Sequence, residues 1–392
     1  MPSWSRRRLL AAIGAVGLAG GGWYLVERPH CRPRREPRWT YRGEHWGPAV
    51  PNGGTLLLPE GYGVTGGSQY RLAAVDRNTG QARWSVVAEG GGFGVPTRHD
   101  GTVYVGTGRD TVRALDAETG ARRWTYEAGG REEYGGGAWG APLVAANRIY
   151  AGISHSMDPD ADPTDGTDYT HRVVALDPGD GTELWETDVS RTVWAGPVWV
   201  DDTVVAASRG GTLYGFDPAT GGVRFEFSLP GGVKAPLSTV GEEFVSLITE
   251  DGTVGYVDVP DATLRRTQSV VGETTASEWS GDTLYVGGKD GLVVAVAADG
   301  DRVRWEYDAG APVDGIAADP AVGVVAVDRT GGLHRLSGEG SSESRVRIVE
   351  RSNDEVCGWS GDVQRITDAT LDRGGLYVAG RTWTRRFPVT DE

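Results

Sequence analysis

Four segments of the chain align with one another without gaps: 72–84 (LAAVDRNTGQARW), 112–124 (VRALDAETGARRW), 173–185 (VVALDPGDGTELW) and 213–225 (LYGFDPATGGVRF). Each runs apolar, small, apolar, Asp, then three residues, Gly, three residues and an aromatic. Weaker copies follow at 255–266, 293–305 and 333–345, so the closing position advances through 84, 124, 185, 225, 266, 305 and 345. The steps cluster at 39–41 residues, and the one step of 61 contains an insertion. A period of this size marks a repeat architecture, in which each unit buries its apolar face against its neighbours.

Apolar residues alternate ahead of the Asp, which predicts a half-buried strand. The Asp carboxylate can accept from its own backbone in a turn, and the Gly supplies a positive φ. A second strand then carries the aromatic. Upstream of the hairpins lie further strands in 101–108, 203–211 and 282–291, preceded by short Gly- or Pro-led segments in 93–97, 139–144, 194–200 and 234–240. Four strands per forty residues predict an all-β chain folded as a β-propeller, one blade per repeat. Seven hairpin copies mark seven blades. The stretch 359–389 adds three strands of an eighth, around 362–368, 375–380 and 382–389, without an outer one. Residues 37–42 (PRWTYR) have the character of that missing strand. The reading is an eight-bladed propeller closed by an amino-terminal strand, which removes the open sheet edges at the seam. Seven blades is the competing count.

Charge narrows the partners. The 392 residues carry 54 Asp and Glu against 39 Lys and Arg, a formal charge of −15. That balance argues against nucleic acid or an anionic membrane surface, both of which need clustered base. Only two of the basic residues are Lys (Lys234 and Lys289) and 37 are Arg. High acid with scarce Lys resembles the proteins of salt-loving archaea, although GC-rich codon usage produces the same Arg bias.

The amino terminus carries an export pattern. Residues 5–10 (SRRRLL) lead into the apolar run 9–26 and resemble a twin-arginine signal. The run is 18 residues long, at the short edge of a membrane span, and no A-x-A site follows. Cys31 follows Arg28-Pro29-His30, which is no lipobox. The expected organisation is a signal or uncleaved anchor at 1–26, a Pro/Arg linker at 27–36 and the propeller at 37–392. The expected location is the extracellular face of the cytoplasmic membrane.

The A-x-D-x-x-T-G-x-x-x-W pattern resembles the PQQ-like (quinoprotein-type) propeller repeat, and the resemblance covers nearly everything from residue 36 onward. The resemblance implies one of two functions. One is a quinoprotein dehydrogenase; the other is a non-catalytic scaffold, such as the propeller lipoprotein of the outer-membrane β-barrel assembly machinery. In both, the repeat Trp residues pack between blades. Shared fold does not license shared function. Alcohol-oxidising members of the family place an adjacent-Cys disulfide over the quinone and bind Ca²⁺ through carboxylates and amides. Cys31 and Cys357 are the only cysteines, and Asn52, Asn78, Asn147 and Asn353 the only asparagines. The chain therefore reads as catalysing nothing and carrying no cofactor, with PQQ and calcium not favoured.

Three local features remain. The insertion 157–168 (MDPDADPTDGTD) offers Asp158, Asp160, Asp162 and Asp165 as oxygen ligands for Ca²⁺, but Pro163 breaks the EF-hand pattern. A solvated acidic loop explains the same residues. Cys31 and Cys357 can pair if closure brings residues 31–42 to the last blade, as suits an exported chain. Finally, Trp46, Phe93, Trp139 and Trp194 each precede the Pro that opens an inner strand (Pro48, Pro96, Pro142, Pro197). They either rim one mouth of the channel as a groove that binds a peptide or small ligand, or they plug the channel or pack under loops. Trp279 and Trp359 lie near corresponding points, and Lys234 interrupts the run. The function expected is a monomeric, protein-binding scaffold at the cell surface. A quinoprotein oxidoreductase and a small-molecule or sugar-binding module are the alternatives.

Overall fold

The computed structural model describes residues 37–43, 47–61, 70–88, 91–109, 111–129, 136–156, 169–233, 235–297, 302–320, 322–347, 366–372, 375–380 and 383–388. No helix long and apolar enough to cross a membrane occurs among them. The repeat turns form as their Asp residues dictate. Asp76 accepts from the N–H groups of Asn78 and Thr79, both at 2.9 Å, and Asp217 accepts from Ala219 and Thr220, both at 3.0 Å. The same carboxylates reach across the hairpin to an Arg seven residues on, Asp116 to Arg123 at 2.9 Å and Asp217 to Arg224 at 2.7 Å.

The strands form eight antiparallel sheets, each the blade of a propeller. In blade one the order from the channel outward is Val50–Asn52, Thr55–Glu60, Arg71–Asp76 and Ala82–Val87. Blade three gains a short extra strand, Gly136–Gly137, which pairs with an extended second strand, Arg148–Ser156. Apolar layers lie between blades: Leu57, Leu72, Ala74 and Trp84 of blade one meet Val103, Val105 and Leu115 of blade two.

Closure settles the blade count. Trp39–Arg42 pairs with Trp383–Pro388, with Trp39 opposite Arg386 and Arg42 opposite Trp383. Trp39 then repeats the contact of the other outer Trp residues. Its indole N–H donates to the Arg77 carbonyl of blade one at 3.0 Å, as Trp84 donates to Ala117 at 3.2 Å and Trp124 to Pro178 at 2.9 Å. Each ring lies flat on the turn glycine of the following blade. A Cβ on Gly80 would fall 2.7 Å from Trp39, and one on Gly120 would fall 2.7 Å from Trp84. Blade eight is thus docked on blade one, and the Arg77–Asp372 ion pair at 2.7 Å crosses the same seam.

One boundary moves. The first strand of blade eight, expected around 362–368, is Ile366–Asp372. A register shift between Ile366 and Asp368 interrupts the alternation from which its phase is read.

Candidate functional site: the central channel

The innermost strands and the connections that lead into them enclose a channel of about 640 Å³. Its wall has two chemistries. Blades two to five present small apolar groups, Val95, Ala141, Ala195 and Ala235. Blades five, six and eight present Glu250, Glu273, Glu278 and Asp368, with Thr249, Thr275 and Thr370 between them.

The carboxylates differ in their partners. At the mouth, Glu250 faces Arg209 at 3.6 Å and Glu273 meets the ammonium of Lys289 at 2.8 Å. The other two have no ion-pair partner among the described residues. Asp368 accepts from the Thr370 hydroxyl at 3.4 Å. Burial pushes Glu278 up from 4.5 to about 7, with the charge of Asp368 adding to the effect. Burial likewise raises Asp368 from 3.8 to about 7, against hydrogen bonds from Ala369 and Thr370. Both carboxyls therefore titrate near neutrality rather than in the usual acidic range.

The aromatics at matching offsets go to three different environments. Trp194 lines the channel and is 38% exposed, with the Arg209 guanidinium 5.1 Å from its ring centre. Trp139 is partly buried and lies against glycine backbone, since a Cβ on Gly108 would come 2.8 Å from its ring. Phe93 is 0% exposed, inside the layer between blades one and two, where an isolated bridge to Thr107 draws its backbone into the sheet. The four-membered rim is therefore not formed by Phe93, which presents no surface to a ligand. Trp46, Lys234, Trp359, Cys31, Cys357 and the aspartates Asp158, Asp160, Asp162 and Asp165 lie outside the described residues. Trp279 packs against the apolar layer containing Leu284 and Val294.

Glu278 and Asp368 escaped the sequence reading. The available signal was a Glu in the inner-strand segment 274–280 at a place where blade four carries Val198. That both line one channel is a property of the ring alone.

A family model described as outer membrane protein assembly factor BamB matches residues 32–163 and 170–384. The chain belongs to this BamB family. Relatives outside it share the repeat. Serine/threonine-protein kinase AfsK of Streptomyces griseus is 28% identical over 163 residues, 39% of this chain and 18% of that protein. Quinohemoprotein alcohol dehydrogenase of Comamonas testosteroni is 24% identical over 247 residues, 54% of this chain and 32% of that protein. This BamB-family chain thus spans less than a third of the length of either relative. The crystal structure of BamB from Moraxella catarrhalis aligns with a TM-score of 0.63 at 16% identity, over 90% of this chain and 99% of that one, which shows a common fold.

The dehydrogenase resemblance raises the question of whether the channel fits pyrroloquinoline quinone, a tricarboxylate. The described lining holds four carboxyl groups and no Lys or Arg. None of these lining residues offers an anionic quinone a cation, and the Arg209 and Lys289 that stand beside them are engaged by Glu250 and Glu273. No group of three or more His, Cys, Asp or Glu placed to hold a metal ion occurs among the described residues. Among the described residues, the lining offers a quinone no cationic group and calcium no cluster of three ligands.

Proposed function

We propose that this BamB-family propeller is an exported, membrane-tethered scaffold that binds a protein partner at the channel mouth and catalyses nothing. The observation that carries the reading is the acidic wall of the channel, which lacks the cationic groups an anionic quinone needs. The twin-arginine pattern and the apolar run 9–26 support export and anchoring at the extracellular face of the cytoplasmic membrane. A role in building outer-membrane barrels is not carried over, because an envelope of the archaeal type suggested by the Lys-poor, acidic composition has no outer membrane.

Trp194 is the residue placed to touch a partner, being both aromatic and exposed at the mouth. Truncating a central interface aromatic costs about 2 kcal/mol, or roughly thirtyfold in affinity. Pull-down of surface proteins with wild type and a Trp194→Ala variant of unchanged melting temperature tests the site. Undiminished recovery of the same partners by the variant would place the interface elsewhere.

The second reading, a quinoprotein oxidoreductase, is favoured by the alignment to the Comamonas enzyme over 54% of this chain. Incubation with quinone and Ca²⁺, followed by an absorbance spectrum and a dye-linked dehydrogenase assay, separates the two. We expect no retained chromophore and no dye reduction. Turnover would overturn the scaffold reading.

A further inference from the structure

We propose that the outer edge of blade eight is a basic docking surface for the anionic headgroups of a lipid bilayer, against which the propeller stands on its rim. The bilayer itself comes from the anchoring part of the preceding reading, on which the proposal rests. The surface is a product of ring closure.

Closure brings together bases from the two ends of the described chain. The strand Trp39–Arg42 (WTYR) pairs with Trp383–Pro388 (WTRRFP), and the Arg38 N–H donates to the Arg386 carbonyl at 2.8 Å. Arg38 and these two strands carry four bases, Arg38, Arg42, Arg385 and Arg386, and no acid. Pairing sets Thr40 opposite Arg385 and Arg42 opposite Trp383. Side chains alternate along a strand and cross-strand partners share a face, so Arg38, Arg42 and Arg385 share the face of Trp383. That face looks towards blade seven, where Trp383 packs with Val325 and Leu333. Arg38 and Arg42 are exposed and Arg385 is half-buried. The Arg385 guanidinium lies 4.3 Å from the ring centre of the buried Trp383, a stack that fixes its direction.

Acids beside the seam are engaged by bases of blade one, Asp372 by Arg77 at 2.7 Å and Glu60 by Arg71 at 3.6 Å. The outer strand of blade seven, Ser342–Arg347 (SESRVR), adds two Arg against one Glu. Other outer strands have the opposite balance. Glu183–Asp188 of blade three (ELWETD) holds three acids and no base, two of them answered by Arg172 of the strand behind. Val303–Asp308 of blade six (VRWEYD) sets one Arg against two acids. The rim therefore has a basic side at the closing blade. A formal charge of −15 argues against an anionic surface where base is scattered, and closure gathers it. At about 0.15 M salt the screening length is roughly 8 Å, so acids on distant blades are screened while bases in contact are not.

The tether selects lipid as the occupant. The closing strand follows the apolar run 9–26 after the ten residues 27–36, which span at most about 35 Å when fully extended. A bilayer holding that run is in reach of this edge before any other. The planar guanidinium suits phosphate oxygens, and each base near an anionic surface strengthens attachment about fivefold. With blade eight down, the channel axis lies along the membrane and the mouth at Trp194 stays open to a partner.

The experiment places the full chain in nanodiscs of phosphatidylcholine alone or with one third phosphatidylglycerol. Phenylglyoxal labels accessible Arg, and mass spectrometry reads each site. At about 0.1 M NaCl we expect labelling of Arg38 and Arg42 to fall about threefold or more on the anionic discs, and the difference to vanish at high salt. Arg224 of blade four should be labelled equally on both. Equal labelling of Arg42 on the two discs overturns the proposal. In Arg42→Glu, an exposed change that should leave the melting temperature unaltered, the protection of Arg38 should weaken. Undiminished protection there also overturns it. Protection by a DNA duplex as strong as that by anionic discs at equal phosphate would overturn lipid as the occupant. Co-purification with phosphatidylcholine discs, where no lipid charge helps, tests the anchor separately. A chain that stays with those discs but is labelled equally on both kinds keeps its anchor and loses the docking surface. One that leaves them, yet is protected by anionic discs, keeps the docking surface and loses the anchor.

Discussion

Blades one to five and blades six to eight build their inner strands in different ways. In the first group the inner strands are three residues long: Val50–Asn52, Thr97–His99, Leu143–Ala145, Val198–Val200 and Ser238–Val240. Each follows a proline one or two residues upstream, namely Pro48, Pro96, Pro142, Pro197 and Pro236. Proline has no N–H to give the ladder, so in blades two to five pairing begins only past it, while in blade one Pro51 also sits within the strand, opposite Leu56. In the second group the strands are seven residues long, contain no proline, and pass through a bulge at Thr274/Ala276, Val313/Gly315 and Ile366/Asp368. The difference shapes the channel. Short strands leave small apolar connections at the wall, whereas long ones carry side chains into it. Among these are the two carboxyls without a counter-ion.

The harshest way to break the comparison is to open the seam where the two groups meet. Removing residues 1–44 deletes the strand Trp39–Arg42, unpairs its ladder with Trp383–Pro388 and takes Trp39 off Gly80. We expect the single cooperative melting transition to be lost. Trp39→Ala alone should cost about 3–5 kcal/mol. A truncated protein that melts with unchanged cooperativity would show that the two groups of blades hold without closure.

A next-largest effect is expected inside the second group, where blade seven adds a buried polar cluster to the Trp-on-glycine packing that Trp305 repeats over Gly340. His334 and Asp328 are both 0% exposed, joined at 2.8 Å, and the other ring nitrogen of His334 meets the Tyr307 hydroxyl at 3.0 Å. Burial pushes Asp328 up, but hydrogen bonds from His334, Thr330 and Gly332 outweigh it and hold the carboxyl at about 2. Leaving a buried carboxylate without its hydrogen-bond partner costs about 1–3 kcal/mol or more, so His334→Ala should cost at least that. Stability from Asp328 is present above the ordinary carboxylate value and is lost as pH falls towards 2. Acid titration of the melting temperature should show a loss below about pH 4 that is smaller in His334→Ala. An identical acid limb in both proteins would deny the cluster this role.

How much of this was legible in the sequence follows the same division. The Asp-to-Trp hairpin is local, so Asp76, Gly80 and Trp84 announce it, and Trp39 in PRWTYR announced closure. Prolines 48, 96, 142, 197 and 236 marked the short inner strands. The long strands carry no such mark, and their bulges break the two-residue alternation, which is why the first strand of blade eight was displaced. Within the aromatic set, Phe93 was misjudged for another reason. Phe93, Trp139 and Trp194 share an offset from proline, but whether each ring turns inward depends on contacts such as the Phe93–Thr107 bridge, which the offset does not encode.

The tight seam between blades seven and eight offers a milder perturbation. Gly315 has Ala369 and Asp368 packed against it, with backbone atoms as the nearest neighbours. Backbone cannot rotate away as a side chain can. Gly315→Val should therefore cost about 1–3 kcal/mol, the range for overpacked cores, and should also shift the carboxyl titration of Asp368. Gly47, which leads into blade one, has only Pro59 at 3.7 Å from a Cβ, so Gly47→Ala should be nearly silent by denaturant midpoint. Equal costs would mean that inner-strand spacing is uniform around the ring.

The smallest effect sharpens the comparison at blade five, where the repeat turn departs from its pattern. In blades one and two the fourth residue after the turn Asp is Gly80 (φ +73) and Gly120 (φ +72), each beneath a Trp ring that leaves no room for a Cβ. In blade five that place is Ala262, at φ 48, a left-handed conformation that is costly for a residue with a Cβ. The outer-strand aromatic of the preceding blade is Phe225 rather than Trp, opposite Gly215. The Phe225 ring lies against Gly215, whereas a Trp there, seated as Trp84 is on Gly120, would leave no space for the Ala262 methyl group. Two substitutions test the coupling. Ala262→Gly should be stabilising by about 0.5 kcal/mol, as relief of the positive φ exceeds the entropy of a new glycine in the unfolded chain. Phe225→Trp alone should be destabilising by about 1–3 kcal/mol, because the larger ring meets the Ala262 methyl. Combined, they should recover most of that loss, and denaturant midpoints of the two single variants, the double variant and wild type close the cycle. Additive effects would mean that the ring and the turn residue do not touch, and that glycine recurs under the Trp residues for its φ alone.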